Sequence, residues 1–553
     1  MIRQFRASLI CLVCGIVILG FSRTTADPDL WGHLRFGLDL LDTGRVIRPD
    51  PYSFLTSGVT WVNHEWLAEA ALAVAWRTAG ALGIILLKLI VTLATVGVLY
   101  WSLLRRGLTV FGASTVLLVN VPLILPWLGA ARPQMFTYLC FAITLAAIVE
   151  AETAYPLTPT LSPRAGRGSK EGEEAPPAPA DEGGRRRPPG GLPSIPSPRV
   201  RSGERVRERG SRALWLLVPT FLFWANAHGG FLAGVGIVGL WIIARFIRTR
   251  SIRDVWLPLA VAILATLVTP YAGQLWLFLH TALTSRLEIV EWNPIEVISF
   301  EGLAHIVVLV PAVWGWFASR REKSPVLVFL FFVVVLLPFV ARRHTPLFAM
   351  GLILLAGEHE ADAFSALFER QAMAAGTRRA PDPRVMRVFA GMFVVTAIIC
   401  VIASGRHYAR IIVDREEYPI EAVQLLRASG VTGNVATNFN WGEYVLWHVG
   451  PGVKVSIDGR RETVYSEAVY AENQRFAFGY GKWDTLIERP GVDLALVPTQ
   501  HWPVSNLLRL KPGWRPLYED DRSAIFVRSG SQAEALLAKT PRPARAAAEV
   551  AFP

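Results

Sequence analysis

Carboxylates, histidines and arginines are scarce in this apolar chain, and where they gather they invite a chemical reading. The first gathering is TTADPDLWGHLRFGLDLL. Asp27 and Asp29 stand two residues apart directly after an apolar run. A carboxylate held there can act as a general base toward a hydroxyl, and two together can bridge a divalent cation. Leu30, Leu34, Leu38 and Leu41 then recur at three- and four-residue spacing, which predicts an amphipathic helix. Asp29 falls near the N-terminus of that helix, where a capping role competes with a chemical one. Asp27 precedes Pro28 and lies outside the helix, so capping explains it less well. It is the preferred catalytic carboxylate, with Asp29 beside it.

The stretch 23–66 also carries His33, Asp50, His64 and Glu65. Further along, short polar edges between apolar runs hold Arg132, His228, Arg286, Glu288, Glu291, Asn293, Arg342, Arg343 and His344. Ionisable groups at such edges are costly unless paired or used, so together they form a site hypothesis. Four histidines raise the question of metal ligation. Their spacings match no compact zinc signature, and His64-Glu65 lacks the second histidine of H-E-x-x-H. Hydrogen-bonding roles are expected for them and no metal is assigned, with Mg or Mn bridging Asp27 and Asp29 as the minority reading. Cofactors are otherwise unknown.

The elements that must position these groups are membrane helices. The chain has 553 residues, of which 52% are hydrophobic and 18% charged, and a mean hydropathy of +0.36. Soluble proteins carry nearer a quarter charged residues. Apolar runs long enough to span a bilayer fall near 7–22, 80–104, 110–129, 134–151, 213–227, 231–248, 255–280, 303–319, 325–341, 343–357 and 387–404. These predict about eleven spans. If they alternate from an inside N-terminus, the inside loops hold 28 Arg and Lys and the outside loops before residue 404 hold 9. That asymmetry fits the positive-inside rule and places every polar group named above on the outer face. The net charge of +12 is therefore a matter of orientation, and no nucleic-acid partner is expected. Cys11, Cys14, Cys140 and Cys400 all lie in apolar runs and form no disulfide framework. The first run resembles a signal peptide, with a passable cleavage site at Thr25-Ala26, but a retained anchor suits a multi-span chain better.

Two segments depart from the membrane pattern. Residues 155–212 contain 11 Pro and 9 Gly with charges of both signs, which predicts a disordered insert on the cytoplasmic side. Its ends, SPRAGRGS and SPRVRSGER, look like copies of one another. Beyond residue 404 the pattern becomes that of a small α/β domain over 405–530, followed by a flexible tail, 531–553. A helix is predicted over 419–429, and short strands at Asn434–Thr437, Tyr444–His448, Val453–Ile457, Leu494–Pro498 and Ala524–Arg528. Within this domain Asn438, Trp441, Gly442, Tyr444, Asp458, Gly459 and Arg460 are unusually specific for loops. Trp441, Tyr444, Asp458 and Arg460 suit carbohydrate faces and hydroxyls. The alternative is local: turns at the glycines and a structural Asp458–Arg460 ion pair.

Taken with this architecture, the short first span, the acidic residues at its outer end and the amphipathic first outer loop resemble the GT-C glycosyltransferases. That group includes protein O-mannosyltransferases, aminoarabinose transferases and the catalytic subunit of oligosaccharyltransferase. DPDLWGHLRFG…DPYSF…WVNHEWLAE and NFNWGEYVLWHVGPGVKVSIDGR…VYSE look like a distinct bacterial branch of it. The Asp-Glu pair of the mannosyltransferases is replaced here by Asp-Pro-Asp. The resemblance implies a bacterial inner-membrane enzyme that takes a sugar from a polyprenyl-phosphate donor and gives it to a glycan, lipid or protein acceptor. It implies that Asp27 serves as base and that Arg132, Arg342 and Arg343 neutralise the donor phosphate. His33, His64, Glu65, His228, Glu291 and His344 are further candidates for substrate contact. For the two adjacent arginines, interfacial anchoring is the alternative.

Two other classes compete. A transporter or flippase of lipid-linked glycans predicts mid-span charges and internal repeats, whereas Lys88 is the one clear mid-span charge and no repeat is visible. A non-catalytic scaffold leaves the acidic first loop unexplained. The orientation itself is directly testable. Reporters fused after Arg106 and after residue 250 are expected to read cytoplasmic, and one after residue 410 extracytoplasmic. A cytoplasmic reading at 410 would overturn the placement of the site.

Overall fold

Most of the apolar runs become helices, and Pro and Gly decide where several of them break. The structure is a computed structural model, and it describes residues 2–154, 212–284, 290–374, 382–405, 410–500 and 503–553, with 210 and 407. Nearly all of the 155–212 insert, together with Arg286 and Glu288, lies outside the described residues. The helices up to the C-terminal domain are α1 (Ile2–Gly20), α2 (Pro28–Thr43), α3 (Trp66–Arg105), α4 (Val110–Asn120) and α5 (Gln134–Thr153). They continue with α6 (Leu217–Ala227), α7 (Phe231–Thr249), α8 (Trp256–Ala265), α9 (Gly273–Thr284) and α10 (Phe300–Ala318). Last come α11 (Pro325–Leu336), α12 (Thr345–Gly351), α13 (Gly357–Ala374) and α14 (Pro383–Gly405).

Six of these are long and apolar enough to cross a bilayer, namely α1, α3, α5, α7, α10 and α14. Three shorter apolar helices, Val110–Leu123, Trp256–Ala265 and Pro325–Phe339, accompany them. Several of the expected eleven runs are interrupted. The run at 255–280 divides between α8 and α9 around Pro270, where Ala272 takes a positive φ of 46°. The run at 343–357 starts as a 3₁₀ turn at Arg342–His344 and ends in a π-helical turn at Leu352–Ala356. Helix α3 kinks at Ala79–Gly80, where Gly80 has φ 57° and ψ −139°. A side chain would strain that turn, so glycine separates the span proper from the amphipathic segment before it.

The C-terminal domain is α/β. It holds β1 (Ile412–Asp414), α15 (Ile420–Ser429), β2 (Gly433–Ala436), α16 (Gly442–Val449), β3 (Val453–Val455), α17 (Arg461–Val464) and α18 (Glu467–Phe478). After these come β4 (Val492–Pro498), α19 (Val504–Leu510), β5 (Trp514–Glu519), β6 (Ser523–Arg528), α20 (Gln532–Lys539) and β7 (Glu549–Ala551). The main sheet runs β3-β2-β4-β6-β5, parallel among the first three and antiparallel at β6 and β5. The strand expected at Tyr444–His448 is instead helix α16. Its aromatic and β-branched content suggested a strand, but Asn438 caps the turn leading into it by accepting from Trp441 N–H. Tyr444, Val445 and Leu446 are all buried there.

Main-chain pairing fastens this domain to the first loop of the membrane part. Ala26 N–H donates to Ile412 O at 2.8 Å and Ile412 N–H to Thr24 O at 3.0 Å, so residues 24–26 extend the β1–β7 pair. Phe54 N–H donates to Val455 O and Val455 N–H to Tyr52 O, both at 3.1 Å, which adds residues 52–54 to the β3 edge. The segment expected to be a flexible tail is folded. It forms α20 and β7, and Phe552 is 5% exposed against Trp31, Trp76 and Trp447. Its Ala/Pro/Arg composition hid one buried aromatic side chain.

Candidate active site

The site is built around the first turn of α2. Asp27 is the N-cap residue, extended at φ −105° and ψ 168°, and its Oδ1 accepts from Leu30 N–H at 3.1 Å. Pro28 takes the first helical position, which its fixed φ suits. The capping role expected of Asp29 therefore belongs to Asp27, and Asp29 lies in the first turn with its side chain 34% exposed. The segment leading to Asp27 is held from below. Lys88, fully buried in α3, donates to Arg23 O at 2.9 Å and to Gly129 O at 3.3 Å, and Thr25 N–H also donates to Gly129 O. Three residues after Gly129 comes Arg132. Its guanidinium pairs with Asp27, lies 3.9 Å from Asp29 and bonds Glu291 at 2.9 Å. One cation thus gathers three of the predicted carboxylates.

A second group lies further along α2. His33 Nδ1 is 3.5 Å from Glu69 and 3.9 Å from Glu65. Glu65 also lies 3.8 Å from His64 Nε2 and 3.4 Å from His228 Nε2. His228 sits at the α6–α7 junction, where its Nδ1 accepts from Gly230 N–H at 2.8 Å and meets Thr137 Oγ1 at 2.8 Å. That fixes the ring with Nε2 toward Glu65. Burial alone would lower the His33 imidazole, but the bond with Glu69 and the charges of Glu65, Glu69 and Glu443 raise it to about 10. Burial, aided by the charges of His33 and Arg343, lowers His64 to about 4. One imidazolium is thus set among neutral rings. His33, Glu65 and Glu69 each bring a ligand atom within 4.8 Å of the others. As an imidazolium His33 is held by the two glutamates; a divalent cation could take the same three atoms only by displacing the His33 proton. This set differs from the Asp27–Asp29 pair that the sequence suggested.

The remaining arginines flank this group. Arg343 lies over the Trp292 ring at 4.4 Å, and its charge reaches His64 and His228. Arg342 pairs with Glu301 at 3.7 Å, and its N–H donates to Asn293 O. His344 Nδ1 lies 3.2 Å from Leu337 O, a local contact apart from the carboxylates.

The four candidates of the C-terminal domain are packed into its joint with α2. Trp31 is fully buried among Tyr418 (4.6 Å), Tyr444 (4.9 Å) and Phe552 (5.4 Å). Trp441 is buried and donates from Nε1 to Glu417 O. Arg460 bonds Asp458 at 2.6 Å and Asp50 at 2.9 Å, and its guanidinium lies near the rings of Phe36, Tyr52 and Trp61. The local reading of these residues fits their burial. Two further carboxyls enter the site. Glu69 follows Glu65 by one helical turn, a spacing legible in HEWLAE. Glu443, in WGEY, carried no signal of its partner. It is 4% exposed and accepts from Gly32 N–H at 3.1 Å. Burial, then the charges of Asp29 and Asp458, push its carboxyl well above the usual carboxylate range.

No protein-family model matches the sequence, and no curated protein matches it. Solved structures match by fold. ArnT from Cupriavidus metallidurans, described as bound to undecaprenyl phosphate, is similar with a TM-score of 0.50 and 13% identity, over 96% of this chain and 98% of that one. The same protein in its apo state gives 0.50 at 11% identity. The Archaeoglobus fulgidus oligosaccharyltransferase, tethered to an acceptor peptide, gives 0.51 at 11% identity over 89% of this chain and 69% of that one.

The buried Arg460 group makes a direct prediction. Arg460→Leu leaves Asp50 and Asp458 buried without their cation, and loss of one partner of such a pair costs about 3–5 kcal/mol. Thermal unfolding in detergent is expected to show a large drop, part of which Asp458→Asn in the same chain restores. An unchanged transition would show that the group carries no stability.

Proposed function

We propose that this chain, which has the GT-C glycosyltransferase fold, transfers a sugar from a polyprenyl-phosphate donor to an acceptor hydroxyl on the outer face of the membrane. The observation that carries the reading is the junction of Asp27, Asp29 and Arg132 at the start of α2. It joins a proton acceptor to an anion-binding cation where an amphipathic helix meets the bundle. The loop charge asymmetry supports the sidedness. An apolar groove of about 470 Å³ between α3, α6 and the α8–α9 turn, lined by Trp66, Leu67, Leu222 and Phe223, supports a lipid-tailed donor. So does the similarity to a protein described with undecaprenyl phosphate bound.

The two aspartates divide the work. Asp27 commits Oδ1 to the helix cap and its other oxygen to Arg132. A carboxylate so engaged is a weak base. Asp29, more exposed and one residue into the helix beyond Pro28, is the base of the proposed reaction. It takes the proton of the acceptor hydroxyl as that oxygen bonds to the anomeric carbon. The bond from that carbon to the phosphate oxygen breaks, its electron pair leaves with the polyprenyl phosphate, and the configuration inverts. Arg132 and Arg343 take up the charge that develops on the phosphate. Arg132 must exchange at least part of its hold on Glu291 to do so. With the His33 proton displaced, His33, Glu65 and Glu69 would hold a divalent cation, which would supply further positive charge to the site.

The test uses a panel of undecaprenyl-phosphate hexoses and pentoses, with a bacterial cell-envelope extract supplying acceptors, and follows release of undecaprenyl phosphate. Asp29→Asn is expected to lose about 10²–10⁴-fold in rate, the usual cost of a positioned general base. Asp27→Asn is expected to lose less in rate and to keep the helix cap, since asparagine caps as well as aspartate. Full activity in both variants would remove the residue-level basis of the transferase reading.

A further inference from the structure

Three sequence motifs, WGHL on α2 and WGEY and DGR in the C-terminal domain, meet at one point. The point is the carboxyl of Glu443. Its Oε2 accepts from Gly32 N–H at 3.1 Å. A Cβ on Gly32 would lie 2.1 Å from the Glu443 carboxyl carbon, so only glycine admits the group there. On the opposite side a Cβ on Gly459 would lie 2.8 Å from Glu443 Oε1 and 2.7 Å from Asp29 Oδ1. Both carboxyl groups therefore rest against the backbone of one glycine. Helix α16, which carries Glu443, packs on α2, and α2 carries Asp29. The neighbouring Asp458 is bound to Arg460, so the loop that bears Gly459 is itself anchored to Asp50.

We propose that the C-terminal domain completes the active site: Glu443 and Gly459 form the seat that holds Asp29, and Glu443 is a positioning residue for it. The inference rests on the transferase reading above. On the membrane side the first turn of α2 is held by its cap, by Arg132 and by the packing of α2 on α3. The seat adds a wall on the domain side and a hydrogen bond three residues beyond Asp29. A base displaced by about 1 Å can lose on the order of 10²-fold in rate, so this seat matters to turnover more than to binding.

Four chains are compared in the same undecaprenyl-phosphate sugar panel, normalised to folded protein, with affinity for undecaprenyl phosphate measured separately. They are wild type, Glu443→Gln, Glu443→Ala and Gly459→Ala. Gln fills the slot and still accepts from Gly32, so it should retain turnover within about threefold of wild type while Ala loses on the order of 10²-fold. The loss should fall on kcat, with KM and undecaprenyl phosphate affinity nearly unchanged. Gly459→Ala, which crowds both carboxyls, should show the same split and reads the seat even if Glu443→Ala fails to fold. Wild-type turnover in Glu443→Ala and Gly459→Ala would overturn the inference alone. So would an equal collapse of the Gln and Ala variants at position 443, since shape would then not be what matters. A wild type that releases no undecaprenyl phosphate from any member of the panel overturns the transferase reading, and the inference with it.

Discussion

Everything proposed for this chain depends on how α2 is clamped between the membrane helices and the C-terminal domain, and the Arg460 guanidinium is the centre of that clamp. It is 6% exposed, bonded to Asp458 in its own loop and to Asp50 in the loop after α2. Three aromatic rings, all from the first loop, surround it. A cation buried this deeply is tolerable only with its carboxylates in place, so the two parts of the chain must meet in one register. The main-chain bonds of residues 24–26 and 52–54 fix the same register from the backbone. Trp31, packed on Tyr418, Tyr444 and Phe552, adds apolar area to it.

That clamp accounts for the polarity of the site. A carboxylate beside a bilayer is costly when isolated, and here each finds a partner from a different element. Asp27 has the helix N-terminus and Arg132, Glu65 has three histidines, and Glu443 has Gly32. Arg132 is shared among Asp27, Asp29 and Glu291, so the phosphate of the proposed donor would compete with carboxylates already present. Such competition favours an anion with more charge and more acceptor oxygens than one carboxylate. A polyprenyl phosphate meets that description.

Much of this was legible in the residues. The apolar runs marked the helices, and the gathering of Asp27, Asp29, Arg132 and Glu291 follows from where the runs end. His33, His64, Glu65 and His228 were also singled out by placement, though ligand spacing along the chain argued against a metal among them. Spacing along the chain does not show that His33 on α2 approaches Glu65 and Glu69 at the start of α3, or that His228 lies beside Glu65, since these meet only in three dimensions. The sequence points to Asp29 as the cap only if Pro28 precedes the helix; proline is favoured at the first helical position, which leaves the cap to Asp27. Helix α16 reads as a strand in sequence because Tyr444 packs on Trp31 of α2 and Trp447 on Trp76 of α3, across a joint that no local pattern reveals. Glu443 was invisible for the same reason: its partner lies more than four hundred positions away, at Gly32.

The central claim is that donor phosphate binds at the start of α2, within reach of Arg132 and beside Asp29. A cryo-EM structure of the full chain in nanodiscs with undecaprenyl phosphate tests this most directly. Phosphate density is expected within hydrogen-bonding distance of Arg132 or Arg343, with the lipid tail leaving along the groove beside Trp66. Phosphate density on another face, or a central cavity open to both sides with lipid inside it, would contradict donor binding at the start of α2.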